Sequence, residues 1–343
     1  MLNLVDIGRA THVAFDGLTT ERLLQIGATN VVRASDRLII GPSRRGALEH
    51  ARARRVWWDS TEEWDKVYSS DVRWEPPIVL WVSASLHERV NLWRACSWLR
   101  HLGIAHHDIS VLDFEPVPPS RAASREVLTR PFTCSESVSD HSDEVLLERV
   151  GKALPWPRES YDRAVRLWDS YVDENPLPFV ENCLRGVEGF PELAPLWTLL
   201  SRFFPRRTAE GSLRLSRFDE LVFALLSTEW KTPLALLAHE SETQMTLWHL
   251  LSCTGDLFLP RRLEHWADHG SSAFVERAPG PKPPNAGYPM LSEVYRLTER
   301  GIRLRDKGLD QLTDAPSLPI AGTGAYSPSA PWVLLEDGRL ARV

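Results

Sequence analysis

Cysteine is scarce in this chain of 343 residues: Cys96, Cys134, Cys183 and Cys253 stand far apart and none belongs to a CxxC pair. That argues against a structural zinc site or a disulfide framework and makes a reducing cytosol the simplest compartment. Lysine is scarcer still for its class. Five lysines stand among 40 basic residues, so the positive charge is almost wholly arginine, a bias better explained by genome composition than by a site. Acidic residues outnumber basic ones and the net charge is −6, which weighs against a surface that coats polyanions and leaves only a local basic face to consider. No stretch approaches the roughly 18 to 20 apolar residues needed to cross a bilayer. The greasiest run, LVFALL at 221–226, is core-sized, and MLNLVDIGRATH at the start lacks the pattern of a signal peptide.

Familiar catalytic motifs are missing as well. There is no GxGxxG fingerprint, no GxxxxGK[ST] phosphate loop, no GxSxG elbow and no HExxH helix, so no cofactor is implied. The GTG at 322–324 is followed by AYSP and reads as a loop. His106, His107 and Asp108 cluster before a predicted strand, but neighbours on an extended chain point to opposite faces and no further ligand has suitable spacing. His265 and His269 are four apart with no assignable third ligand, so no metal is expected.

What is present is the mixture of a soluble globular protein, 43% apolar and 25% charged. Strands are predicted within Leu2–Ile7 and His12–Phe15, then a helix from Glu21 capped by Thr19 or Thr20 and stopped at Gly27. Extended runs follow at 30–33 and 38–40. The strongest signal lies in PPIVLWVSASLHERVNLWRACSWLRHLG, residues 76–103. Ile78 to Val82 is continuously apolar, as suits a strand covered on both faces, and Ser85 opens a helix over 86–102. A strand at 109–114 completes a β-helix-β unit. The fold class is therefore α/β, with an N-terminal open and mostly parallel sheet over 1–117.

Prolines 116, 118 and 119 and the polar SESVSDHSDE at 135–144 make 118–158 a connector. Residues 159–212 read as helical. From 213 to 312 the order is helices, then a hairpin around APGPKPPNAGYPM, then YRLTERGIRLRDKG, which predicts a winged-helix-like module; 313–343 is a C-terminal extension. In that module Arg261, Arg262, Arg296 and Arg303 are the candidate DNA contacts, whereas the stretch from Glu240 to Leu251 carries no arginine or lysine and disfavours nucleic acid.

Topology points to a ligand site instead. Asp16 follows an early strand, Asp36 and Arg37 follow another, and Ser83, Ser85 and Glu88 follow the central one; such loops meet at the carboxyl edge of an open α/β sheet. Asp16 or Glu88 would orient a hydroxyl or act as a base, and Arg37 would pair with an anion.

Long segments of the chain also resemble a known family. HVAFDGLTTERLLQIGATNVVRASDRLIIGP at 12–42, VLWVSASLHERVNLWRACSWL at 79–99, SYDRAVRLWDSYVDENPLPFV at 160–180 and GDLFLPRRLEHWAD at 255–268 resemble the bacterial DUF1835-domain family, a domain of unknown function often followed by a helical C-terminal region. The resemblance implies the same architecture and no defined activity. Ser83, Ala84 and Ser85 depart from the family's acidic, histidine and glutamine stretch after the central strand. The expectation is a cytoplasmic ligand-binding or protein-interaction component. Its alternatives are an enzyme acting on a small anionic substrate and a DNA-binding regulator through 213–308.

Overall fold

The computed structural model describes residues 6–58, 66–68, 72–114, 137–268, 273–282, 289–309, 316–324 and 332–342. Two compact units divide the chain at Met1–Pro195 and Leu196–Val343.

In the first unit, β1 (Thr11–Ala14), α1 (Gly17–Gln25), β2 (Asn30–Arg33) and the two-residue β3 (Gly41–Pro42) are followed by α2 (Ala47–Trp58). Then come β4 (Ile78–Val82), α3 (Leu86–His101), β5 (Ile109–Asp113), α4 (Asp143–Gly151), α5 (Arg158–Tyr171) and α6 (Leu177–Arg185). Four strands form a parallel sheet in the order β2-β1-β4-β5. The chain moves outward from β1 to β2, then returns to the other side of β1 to lay down β4 and β5. Strand order therefore reverses between β1 and β4.

Every residue of β4 is buried, because the sheet is covered on both faces. Strand side chains alternate. Val79 and Trp81 join Ala14, Leu23, Leu112, Phe114, Leu146 and Val150 in one core beneath α1 and α4. Ile78, Leu80 and Val82 take the opposite face, where α3 packs and is itself covered by α5. Trp93 of α3 meets Tyr171 of α5 edge-on, and the Tyr171 hydroxyl donates to Leu38 O at 2.7 Å. α5 and α6 fall within the first compact unit, which extends to Pro195. The connector predicted over 118–158 holds a helical turn at Val138–Asp140 and α4 in its described part.

Several local expectations are corrected. The cap of α1 is Asp16, whose carboxylate accepts from Thr19 N at 2.7 Å, rather than Thr19 or Thr20. Residues 38–40 form a turn instead of a strand, and α2 appears where no helix was expected. Leu2–Val5 and His269 lie outside the described residues. Cys96 and Cys183 are free and buried, whereas Cys253 is disulfide-bonded, contrary to the simple picture of reduced thiols.

The helix α7 (Leu193–Leu200) runs across the division. The second unit continues with β6 (Arg206–Arg207), β7 (Leu213–Arg214), α8 (Arg217–Leu225), α9 (Glu242–Thr254), α10 (Phe258–Ala267), β8 (Val275–Pro279), β9 (Glu293–Leu297) and α11 (Glu299–Lys307). Short strands β10 (Pro319–Ala321), β11 (Thr323–Gly324), β12 (Trp332–Leu334) and β13 (Leu340–Arg342) close it. β8 and β9 pair as an antiparallel hairpin, and β13, β12, β6 and β7 form a small sheet. Ser216 caps α8 through Asp219 N, as expected from the sequence. At the centre of this unit Arg262 and Asp219 form a fully buried pair, with Arg262 Nε and Nη2 each 2.8 Å from a carboxylate oxygen. Trp266 Nε1 and Ser216 Oγ donate to the same carboxylate. Among the described residues no helix is long and apolar enough to cross a membrane.

Candidate site at the carboxyl edge of the parallel sheet

Loops that follow two adjacent parallel strands on either side of an order reversal splay apart, and the crevice between them is the usual ligand site of open α/β sheets. Here those loops follow β1 and β4. The first contributes Phe15, Asp16 and Gly17, and the second contributes Ser83, Ala84 and Ser85 before α3 begins.

A carboxyl group organises each loop. Asp16 Oδ2 accepts from Thr19 Oγ1 at 2.6 Å and from Ser137 Oγ at 2.9 Å, while Oδ1 caps α1. Glu88, in the first turn of α3, lies close enough to Asp16 for the charge of Asp16 to act on its carboxyl. Its Oε2 also accepts from Ser83 N at 2.6 Å. Burial pushes the Glu88 carboxyl well above the usual range, and the charge of Asp16 pushes the same way. Both effects favour the protonated form of the Glu88 carboxyl.

Only part of the predicted set faces outward. Asp16 and Arg37 are half-buried, whereas Ser83, Ser85 and Glu88 are buried beneath them. Ser83 Oγ accepts from Ser85 N at 3.1 Å, so the Ser83 hydroxyl helps to shape the loop. Ser85 stands at the N-cap position of α3 but makes no side-chain cap.

Asp36 is buried against an arginine. Its carboxylate is 4% exposed and both oxygens are taken by Arg54, with Nε at 3.0 and 2.8 Å and Nη2 at 2.7 Å. Burial alone would raise its pKa, yet Arg54, His50 and Arg94 hold it well below the usual carboxylate range. Arg54 also donates to Ile40 O and Arg37 O, so the pair locks the 36–41 loop and leaves Asp36 no face for a ligand.

That lock reaches the site through α3. Asn91 Nδ2 donates to Asp36 O at 2.8 Å and lies 3.3 Å from His87 Nδ1, and Asn91 Oδ1 accepts from Arg94. With Nδ1 accepting, His87 carries its proton on Nε2 and donates to Phe15 O at 3.1 Å. Burial holds His87 neutral, lowering it to about 3, and nearby Arg37 adds to the effect. Arg37 is thereby placed on the same edge as the β1 loop.

Residues outside the predicted set matter as much. Arg33, the last residue of β2, stands over Gly17: a Cβ on Gly17 would lie 3.1 Å from Arg33 Nη2, and Arg33 Nε donates to Ser35 Oγ at 2.9 Å. Its place at a strand's carboxyl end was the sequence signal that could have found it. Arg89 links Ser83 O, through Nε at 2.8 Å, to Asp113 at the end of β5. Ser137 offered no such signal.

In the second unit the four candidate DNA contacts differ in setting. Arg262 is buried on Asp219 and its Nη1 donates to Pro316 O, so it faces no solvent. Arg296 pairs with Glu276 across the hairpin at 2.6 Å and lies 4.5 Å over the Trp230 ring. Arg261 is half-buried and Arg303 exposed. Among the described residues no three His, Cys, Asp or Glu side chains gather as a metal site.

No protein-family model, curated protein or solved structure matches this chain.

Proposed function

We propose that the chain binds a small polar ligand with an anionic group at the carboxyl edge of its N-terminal sheet. The observation that carries the reading is the meeting of the Asp16 and Glu88 carboxyl groups at the β1 and β4 loops, where strand order reverses. Arg33 and Arg37 supply positive charge beside it, and half-buried Asp16 offers an acceptor to a ligand hydroxyl. The raised Glu88 carboxyl near Asp16 favours acid or base chemistry as the alternative to binding alone.

A broad metabolite screen by thermal shift tests this, followed by turnover analysis of every hit. Anionic hits that vanish in both Asp16→Asn and Arg33→Met support the reading. Hits that survive both substitutions, or a screen with none, overturn it. Product formation from a hit selects the enzyme alternative.

Residues 213–308 are read, as part of the same proposal, as a winged-helix-like module used for packing or for a protein partner. The order of helices, hairpin and α11 supports that arrangement, and the internal pairing of Arg262 and Arg296 weighs against DNA contact. Kinship with DUF1835-domain proteins stays a proposal resting on sequence motifs alone, and it brings no activity. A cytoplasmic setting rests on the scattered cysteines, and the Cys253 disulfide weighs against it.

A further inference from the structure

Glu192 is 1% exposed, and neither of its carboxylate oxygens has a hydrogen-bond partner. Trp93 Nε1, which neighbours it from α3, is equally without one. Buried polar atoms are nearly always paired, so three orphans at one place call for an explanation. The nearby cation is Arg89, which is already engaged. Its Nη1 donates to Asp113 Oδ2 at 2.8 Å, and both Asp113 and Glu192 act on its charge. The two carboxylates differ sharply in setting, because the Asp113 side chain is 55% exposed.

Arg89 is also a structural link. Its Nε holds Ser83 O at 2.8 Å, and Ser83 N donates to Glu88 Oε2 at 2.6 Å. A shift of the guanidinium therefore reaches the carboxyl pair through one loop residue.

We propose that Glu192 and Asp113 compete for the Arg89 guanidinium, and that the outcome sets the position of Ser83 and of the Glu88 carboxyl beneath the candidate site. This deepens the ligand-binding reading and rests on it. The groups that face Glu192 are Arg89 and Trp93 from α3, Asp113 from the end of β5 and the Cys183 thiol from α6. Burial pushes the Glu192 carboxyl up to about 7, against the pull of Arg89. Below that value Glu192 is neutral and Arg89 stays on Asp113. Above it the buried carboxylate draws the guanidinium inward, away from an exposed competitor that water can solvate. Occupancy of the site then varies with pH around neutrality.

Amide-proton NMR of the full chain without ligand tests the device, following the Ser83 resonance across neutral pH. The expected result is a step in the Ser83 shift with its midpoint near 7, lost in Glu192→Gln. Asp113→Asn should move the midpoint lower, because Arg89 is then left to Glu192. A Ser83 resonance that does not titrate overturns the proposal, and so does a step that persists in Glu192→Gln, which would belong to Glu88 itself. An unchanged midpoint in Asp113→Asn removes the competition. Should Glu192→Gln fail to fold, the exposed Asp113→Asn carries the decision. No ligand enters this measurement, so its failure and a failure of the metabolite screen are told apart.

Discussion

Replacing Glu192 by glutamine removes a titration while nearly preserving side-chain shape. Burial raises the folded carboxyl from 4.5 to about 7, and the unfolded chain keeps the ordinary value. The folded state thus holds this proton more tightly than the unfolded state does. Stability from that preference is fully present below the unfolded value and is lost as pH rises through about 7. At about 1.36 kcal/mol for each tenfold difference in proton affinity, the full loss is about 3 kcal/mol, of which about 2 to 3 kcal/mol falls between about pH 5 and pH 8. Glutamine does not titrate, so the stability of Glu192→Gln relative to the wild type should rise by about that amount over the same interval. Urea unfolding of both proteins at the two pH values, followed by tryptophan fluorescence, measures it. A difference that stays flat or falls as pH rises refutes the reasoning, because the buried carboxylate would then be as well accommodated as in water.

Arg54→Ala should cost about 3 to 5 kcal/mol by urea unfolding, since it leaves the buried Asp36 carboxylate without its bidentate partner. Arg262→Ala should do the same to the second unit through Asp219, which is held below the usual carboxylate range, against its burial, by Arg262. His87, lowered to about 3 chiefly by burial, contributes stability that is present above about pH 6.5 and lost as pH falls toward 3. The melting temperature of His87→Gln should accordingly fall less on acidification than that of the wild type. Gly41 has φ of +85° and a Cβ there would meet Trp57 Nε1 at 2.6 Å, so Gly41→Ala should lower stability by more than about 1 kcal/mol, read from chemical denaturation.

Elements whose apolar pattern matches their burial could be read directly. Ile78 to Val82 is apolar throughout because both sheet faces are covered, and the helix after Ser85 follows from that strand and from the stop at Gly103. The hairpin strands in the second unit and the Ser216 cap were equally legible, since turn and cap chemistry is local. α2 was not. Its sequence ALEHARARRVWW has no apolar stripe, because the side chains it buries include His50 and Arg54, which are tolerated inside only through Asp36. The cap of α1 was missed for a related reason: both Thr19 and Asp16 suit the role, and the backbone conformation at Asp16 selects it.

The sequence by itself determined the α/β class, the central strand and helix, and the edge at which polar loops gather, since these depend on periodicity and on the order of elements along the chain. Tertiary structure alone decided which polar residues remain available. Asp36 and Arg262, indistinguishable in sequence from surface charges, are withdrawn by ion partners on other elements. Arg33 is set over Gly17, Glu88 is brought to Asp16 from α3, and Glu192 is left orphaned beside Arg89. The physical reason is that a charge's cost and use depend on what lies within a few ångströms after folding, and neighbours of that kind are remote in the chain.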